Sequence, residues 1–167
     1  MNVLVPFDGS LSARAGLRHA LDTARGVAGA EIHVLNVQPR LRRHSARFLA
    51  TSSVTGGLSA RAEPLLSAAR HEIEACGLAC VTAMRVGTPA QEIVRYAQLQ
   101  GISRIVVGAA RKTALLRLLT GSIADALLEL SRIPVVLVPG GRPGMLARYG
   151  LPAGVGAGLT ALMVAVD

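Results

Sequence analysis

The chain has 167 residues, 51% of them apolar, and a mean hydropathy of +0.45, which suits one domain of ordinary size with a real core. Aromatic residues make up 2% of the chain and tryptophan is absent, so a surface that stacks unpaired bases is hard to build. The net charge is +8, yet residues 39–62 alone carry +5, through Arg40, Arg42, Arg43, Arg47 and Arg61; such a local excess disfavours a nucleic-acid stripe and leaves charge binding by that segment as the lesser alternative.

Met1 runs directly into the apolar Val3-Leu4-Val5 with no basic leader, which predicts a cytoplasmic protein. Short β-branched runs then alternate with helix-length amphipathic stretches. Strands are expected at 3–7, 32–37, 79–85, 104–107 and 134–138, and helices at 12–27, 58–76, 89–100 and 121–131. That alternation predicts an α/β protein: a Rossmann-like, doubly wound, five-stranded parallel sheet with helices on both faces. Residues 39–62, rich in Ser, Thr and Gly, read as a long basic loop between the second strand and the second helix. Gly77 fits the end of that helix. Thr88 and Gln91 stand at capping-box spacing, Pro89 fits the first turn of the third helix, and Gly101 fits its end.

Doubly wound folds bind ligands beyond the carboxyl ends of their strands, where the winding reverses. Three segments occupy such positions: Pro6-Phe7-Asp8-Gly9-Ser10, the basic loop, and Gly108-Ala109-Ala110-Arg111. Gly108 at a strand end would let backbone approach a ligand. Gly121-Ser122 at a helix start would offer N–H groups, a hydroxyl and a positive dipole end to phosphate oxygens. Asp8 has two readings, a carboxylate for a ribose hydroxyl or base edge and a turn former with Gly9 and Ser10. His19, His33, His44 and His71 are scattered and unpaired with any nucleophile, so they read as surface or core residues. The Cys76 and Cys80 pair has no second pair at zinc spacing and reads as ordinary reduced thiols. No Walker A lysine is present.

The run from Gly108 to Ser122, followed by an amphipathic helix and Ile133-Pro134-Val135-Val136-Leu137-Val138-Pro139, resembles the signature of the universal stress protein family, whose ATP-binding members carry G-x2-G-x9-G-[ST]. The opening Val5-Pro6-Phe7-Asp8-Gly9-Ser10 and Gly87-Thr88-Pro89 belong to the same resemblance, which covers residues 1–139. The spacing is intact, but Arg111 replaces the second glycine. It would either crowd the phosphates or, with Lys112 and Arg117, pair with them.

The resemblance implies a nucleotide site of Pro6, Asp8, Val37, Val107, Gly108, Arg111, Gly121, Ser122 and Ile123. It implies ATP or another adenine nucleotide as ligand, with magnesium as an optional companion, and at most very slow hydrolysis. It also implies a homodimer through the last strand, Val135 to Val138. The alternative is a universal stress fold that binds no nucleotide and serves as a protein-interaction module. Residues 140–160 read as a Gly/Pro-rich linker. Residues 161–167 read as a strand-like tail that repeats the start of the chain, as though a second domain began and stopped. Leu151 to Val166 falls short of the ~20 residues of a membrane helix and is broken by glycines.

Overall fold

The computed structural model describes residues 1–39, 51–110 and 123–140. The elements run β1 (Asn2–Pro6), α1 (Leu11–Ala24), β2 (Glu31–Gln38), α2 (Thr51–Glu74), β3 (Ala79–Val86), α3 (Pro89–Leu99), β4 (Arg104–Ala110), α4 (Ile123–Leu130) and β5 (Val135–Gly140). All strand pairs are parallel, in the order β3-β2-β1-β4-β5. The chain winds outward from β1 to β3, crosses back, and continues from β4 to β5. The reversal therefore falls between β1 and β4.

Two apolar layers sandwich the sheet. Val3, Val5, Ile32, Val34 and Val106 face α1 and α2, while Leu4, Leu35, Ile105 and Val107 face α3 and α4. Consecutive buried residues along β1 are what a sheet covered on both sides requires. Helix α1 buries Ala13, Gly16, Leu17, Ala20, Leu21 and Ala24, one stripe at helical spacing.

Two helix ends follow the sequence reading closely. Gly77 adopts a left-handed φ of 73°, with Leu78 N–H donating to the Ile73 carbonyl (3.4 Å) and Gly77 N–H to that of Glu74 (2.9 Å). Gly101, φ 59°, repeats the pattern with Ile102 donating to Ala97 (3.0 Å) and Gly101 to Gln98 (3.5 Å). Both are Schellman closures in which glycine lets the chain reverse without Cβ strain.

Other expectations need correction. The helix placed at 58–76 starts at Thr51 and spans 24 residues, so the second half of the supposed 39–62 loop is helical despite Gly56 and Gly57. Its packed half, with Ala62, Leu66, Ala69 and Ile73 buried, supplies the nucleus, and extending a formed helix is far cheaper than starting one. Thr88 stands at the N-cap of α3 but its side chain makes no capping hydrogen bond. The turn is instead held by Pro89 and by Glu92 N–H on the Thr88 carbonyl (3.0 Å), with the Glu92 side chain folded against Gly87. Strand β4 runs on past 107, so Gly108 lies inside it, in register with Val138. Gly140, assigned by composition to the linker, is the last residue of β5. The remainder of the 140–160 linker, the 161–167 tail and Arg40, Arg42, Arg43 and Arg47 lie outside the described residues.

Candidate nucleotide site at the switch point

The ladder between β1 and β4 is short. It joins Val3 to Arg104 and Leu4 to Ile105, whereas β1 pairs with β2 through Pro6 and Leu35, and β4 pairs with β5 through Ala110 and Gly140. The two strands flanking the reversal therefore stop pairing before their carboxyl ends, the position at which open parallel sheets take ligands. Pro6 and Val37, both half-buried, lie at the carboxyl ends of β1 and β2, whereas the buried Val107 lies in the middle of β4, three residues short of its end.

The turn from β1 into α1 forms one wall. Phe7 is buried, and its N–H donates to the Leu35 carbonyl at 2.8 Å. Asp8 is exposed and its Oδ1 accepts the Ser10 N–H at 2.9 Å, an Asx turn. Gly9 has φ 79°, which a side chain would strain, and a Cβ there would come within 2.7 Å of Leu65 Cδ2 on α2. Ser10 caps α1: its Oγ accepts the Ala13 N–H (3.1 Å) and lies 3.0 Å from Ser12 Oγ. The turn-forming reading of Asp8 holds, and the carboxylate still meets solvent.

Gly108 has a different surrounding from the one expected of it. A Cβ built on it would lie 1.7 Å from the Ser12 carbonyl oxygen and 2.2 Å from its carbon, while a Cβ on Gly16 would stand 3.0 Å from Gly108 nitrogen. Helix α1 thus rests backbone against backbone on β4. Gly140 extends the seat, since its Cβ would meet Ser12 Cα and Cβ at 2.8 Å. Packing alone accounts for glycine at 108.

Asn36 is a residue that sequence reasoning missed. It is 2% exposed, its Nδ2 donates to the Phe7 carbonyl (2.7 Å), and its Oδ1 accepts from Gln38 Nε2 (2.7 Å). The available signal was an amide inside the apolar run Ile32 to Val37, where asparagine is depleted and must find partners. Ile123, at the start of α4, is exposed. Arg111, Gly121 and Ser122, with Lys112 and Arg117, lie outside the described residues.

The histidines assemble no catalytic set among the described residues. His19 and His71 are exposed. His33 is buried, with Nε2 3.0 Å from Glu31 Oε2 and Nδ1 3.0 Å from Tyr96 Oη. Because a carboxylate only accepts, Nε2 carries a hydrogen toward Glu31, and Nδ1 is taken by the tyrosine hydroxyl, so both ring nitrogens are occupied by structure. Burial pushes the Tyr96 hydroxyl above its ordinary pKa, against the lowering effect of Arg85, whose guanidinium carbon lies 5.9 Å from the ring centroid. Cys76 lies 3.5 Å from Arg25 Nη2, and burial raises the Cys80 thiol. Among the described residues no three His, Cys, Asp or Glu side chains gather in a way that could hold a metal, and no helix is long and apolar enough to cross a membrane.

An open parallel sheet whose central ladder ends early at the winding reversal defines a doubly wound α/β protein. The profile of the Universal stress protein family matches residues 1–139, and the chain belongs to that family. The universal stress protein MJ0577 of Methanocaldococcus jannaschii is 25% identical over 150 residues, covering 81% of this chain and 93% of its own. The solved structure of MJ0577 superposes with a TM-score of 0.73 at 26% identity, covering 84% of this chain and 96% of that one. A universal stress protein solved in complex with cAMP gives a TM-score of 0.63 at 22% identity, covering 84% and 98%. The Archaeoglobus fulgidus universal stress protein in complex with dAMP gives 0.60 at 23% identity, covering 83% and 97%. At the last two identities the likeness is one of fold.

Proposed function

We propose that this universal stress protein binds an adenine nucleotide, ATP in the first instance, at the winding reversal between β1 and β4 and acts as a nucleotide-responsive regulatory dimer rather than by turnover. The observation that carries the reading is the early end of the β1–β4 ladder at the winding reversal, beside the turn that carries the exposed Asp8 carboxylate. Family members of the same fold have been solved with cAMP and dAMP, which supports an adenine nucleoside as the common element. In this reading Asp8 takes a ribose hydroxyl or base edge, and the apolar strand ends and Ile123 line the base. Gly121 and Ser122 receive the phosphates, and Arg111 pairs with them. Magnesium finds no cage of protein ligands among the described residues, so it would arrive with the phosphates.

The dimer would form through β5, which lies at the sheet edge with Leu137 exposed, and the protein would act in the cytoplasm. The reading without nucleotide draws on one observation of its own: Gly108 is explained by the seat of α1, so this motif glycine no longer argues for a ligand. Thermal unfolding with and without millimolar ATP separates the two. ATP should raise the melting temperature, and Gly121→Asp should abolish the rise by placing a carboxylate among the phosphates. Absence of any shift, together with no nucleotide released on denaturing the purified protein, favours the interaction module.

A further inference from the structure

At the end of β1 the chain is held to β2 by a side chain as well as by the backbone ladder. The β1–β2 register ends at Pro6 and Leu35. Phe7 N–H completes that last step of the ladder on the Leu35 carbonyl (2.8 Å), and the Phe7 carbonyl accepts instead from the Asn36 side-chain amide (2.7 Å). The Asn36 amide is oriented in turn, because its oxygen accepts from Gln38 Nε2 (2.7 Å), and the Gln38 carbonyl accepts the N–H of Gly87 in the β3–α3 turn (2.9 Å). A line of hydrogen bonds thus crosses the carboxyl ends of β1 and β2 and reaches the β3–α3 turn. Phe7 is the residue before Asp8.

We infer that Asn36 is a positioning residue for nucleotide binding: by clamping the Phe7 carbonyl it sets the direction in which the chain leaves β1 and hence where the Asp8 carboxylate stands at the winding reversal. This rests on the nucleotide reading above. A side-chain amide suits the task because one group both donates to a carbonyl and accepts from a neighbour, so its orientation is determined at both ends. A buried apolar residue of similar size would fill the space and leave the Phe7 carbonyl without this donor. An aspartate would set a carboxylate against that carbonyl.

The test is a double-mutant cycle on the full chain with ATP and adenosine as probes. Asn36→Leu should weaken both about tenfold by the same factor, since the adenosine end is misplaced and the phosphate contacts are not. In the Asp8→Ala background Asn36→Leu should cost less than about twofold, a coupling that general destabilisation would not produce. The backbone amide resonances of Asp8, Gly9 and Ser10 should shift in the variant. If Asn36→Leu does not fold, Gln38→Leu, which frees the Asn36 amide at a half-buried site, should give a smaller loss for both probes with the same coupling to Asp8. Wild-type protein that binds neither probe overturns the nucleotide reading and this inference with it. Wild-type protein that binds both, beside variants that bind as tightly or lose affinity equally in the Asp8→Ala background, overturns only the role of Asn36.

Discussion

Replacing Gly108 with alanine tests what the glycine is for. The added carbon would sit 1.7 Å from the Ser12 carbonyl oxygen, 2.2 Å from the carbonyl carbon and 2.9 Å from Ala13 nitrogen, against an ordinary contact of 3.4 Å or more. All three atoms are backbone, so no side chain can swing away and α1 itself must retreat from β4. Overpacking a core commonly costs ~1–3 kcal/mol where side chains can adapt, so a loss of about 3 kcal/mol or more is expected here. That is a large part of the ~5–15 kcal/mol that holds a domain together, and corresponds to a fall in melting temperature of roughly 10 °C.

Two neighbouring glycines calibrate the result. Gly140→Ala meets Ser12 Cα and Cβ at 2.8 Å and should cost about 1–2 kcal/mol. Gly16→Ala, 3.0 Å from Gly108 nitrogen, should come out near neutral, because alanine regains about 1 kcal/mol of helix propensity against a few tenths of an ångström of adjustment. Urea unfolding of the three variants measures the series. A Gly108→Ala protein within about 1 kcal/mol of wild type that has lost its response to ATP would refute the packing argument and return the glycine to ligand binding.

Ser10→Ala removes the side-chain acceptor for the Ala13 N–H and should cost about 1 kcal/mol by urea unfolding, with Ser10→Gly costing less. Tyr96→Phe leaves His33 Nδ1 without its partner and should cost about 1–2 kcal/mol at neutral pH. Because burial raises the Tyr96 hydroxyl, its contribution is present in full below the ordinary tyrosine value near ~10 and fades as pH climbs through the higher folded value. Stability of the wild type should therefore fall more steeply than that of Tyr96→Phe in that alkaline range, read by circular dichroism at a series of pH values. Leu137→Lys, at an exposed position on the edge strand, should convert a dimer into monomers by light scattering while leaving the melting temperature of the monomer unchanged; wild-type monomers at micromolar concentration would sink the dimer.

Much of the sheet could be read from local chemistry. The β-branched runs Val3 to Val5 and Ile32 to Val37 announce strands buried on both faces, and Gly77 and Gly101 close their helices as expected. Those features depend on a few neighbouring residues. What stayed hidden depends on distant ones. Gly108 reads as a strand-end glycine that admits a ligand until α1, nearly a hundred residues earlier in the chain, is laid against it. Asn36 looks like an interruption in a strand until the Phe7 carbonyl is found beside it. Thr88 has the right spacing for a cap, but spacing does not fix a hydroxyl rotamer, and Pro89 and Glu92 organise that turn without it. Helix α2 begins inside a Ser/Thr/Gly segment whose intrinsic preference is overruled by the packed turns that follow.

The seat of α1 on Gly108 has a mechanical consequence. β1 and β4 lose their hydrogen-bonded contact after Leu4 and Ile105, which by itself would leave the middle of the sheet free to spread like the leaves of a hinge. α1 is joined to β1 by a tight turn and braced on β4 and β5 at Ser12, Ala13 and Gly16, so it spans the parting line from behind as a splint. Force that pries the strands apart has to lift the helix from its glycine bed. The spacing of β1 and β4 at the reversal is therefore set by a helix as well as by the ladder.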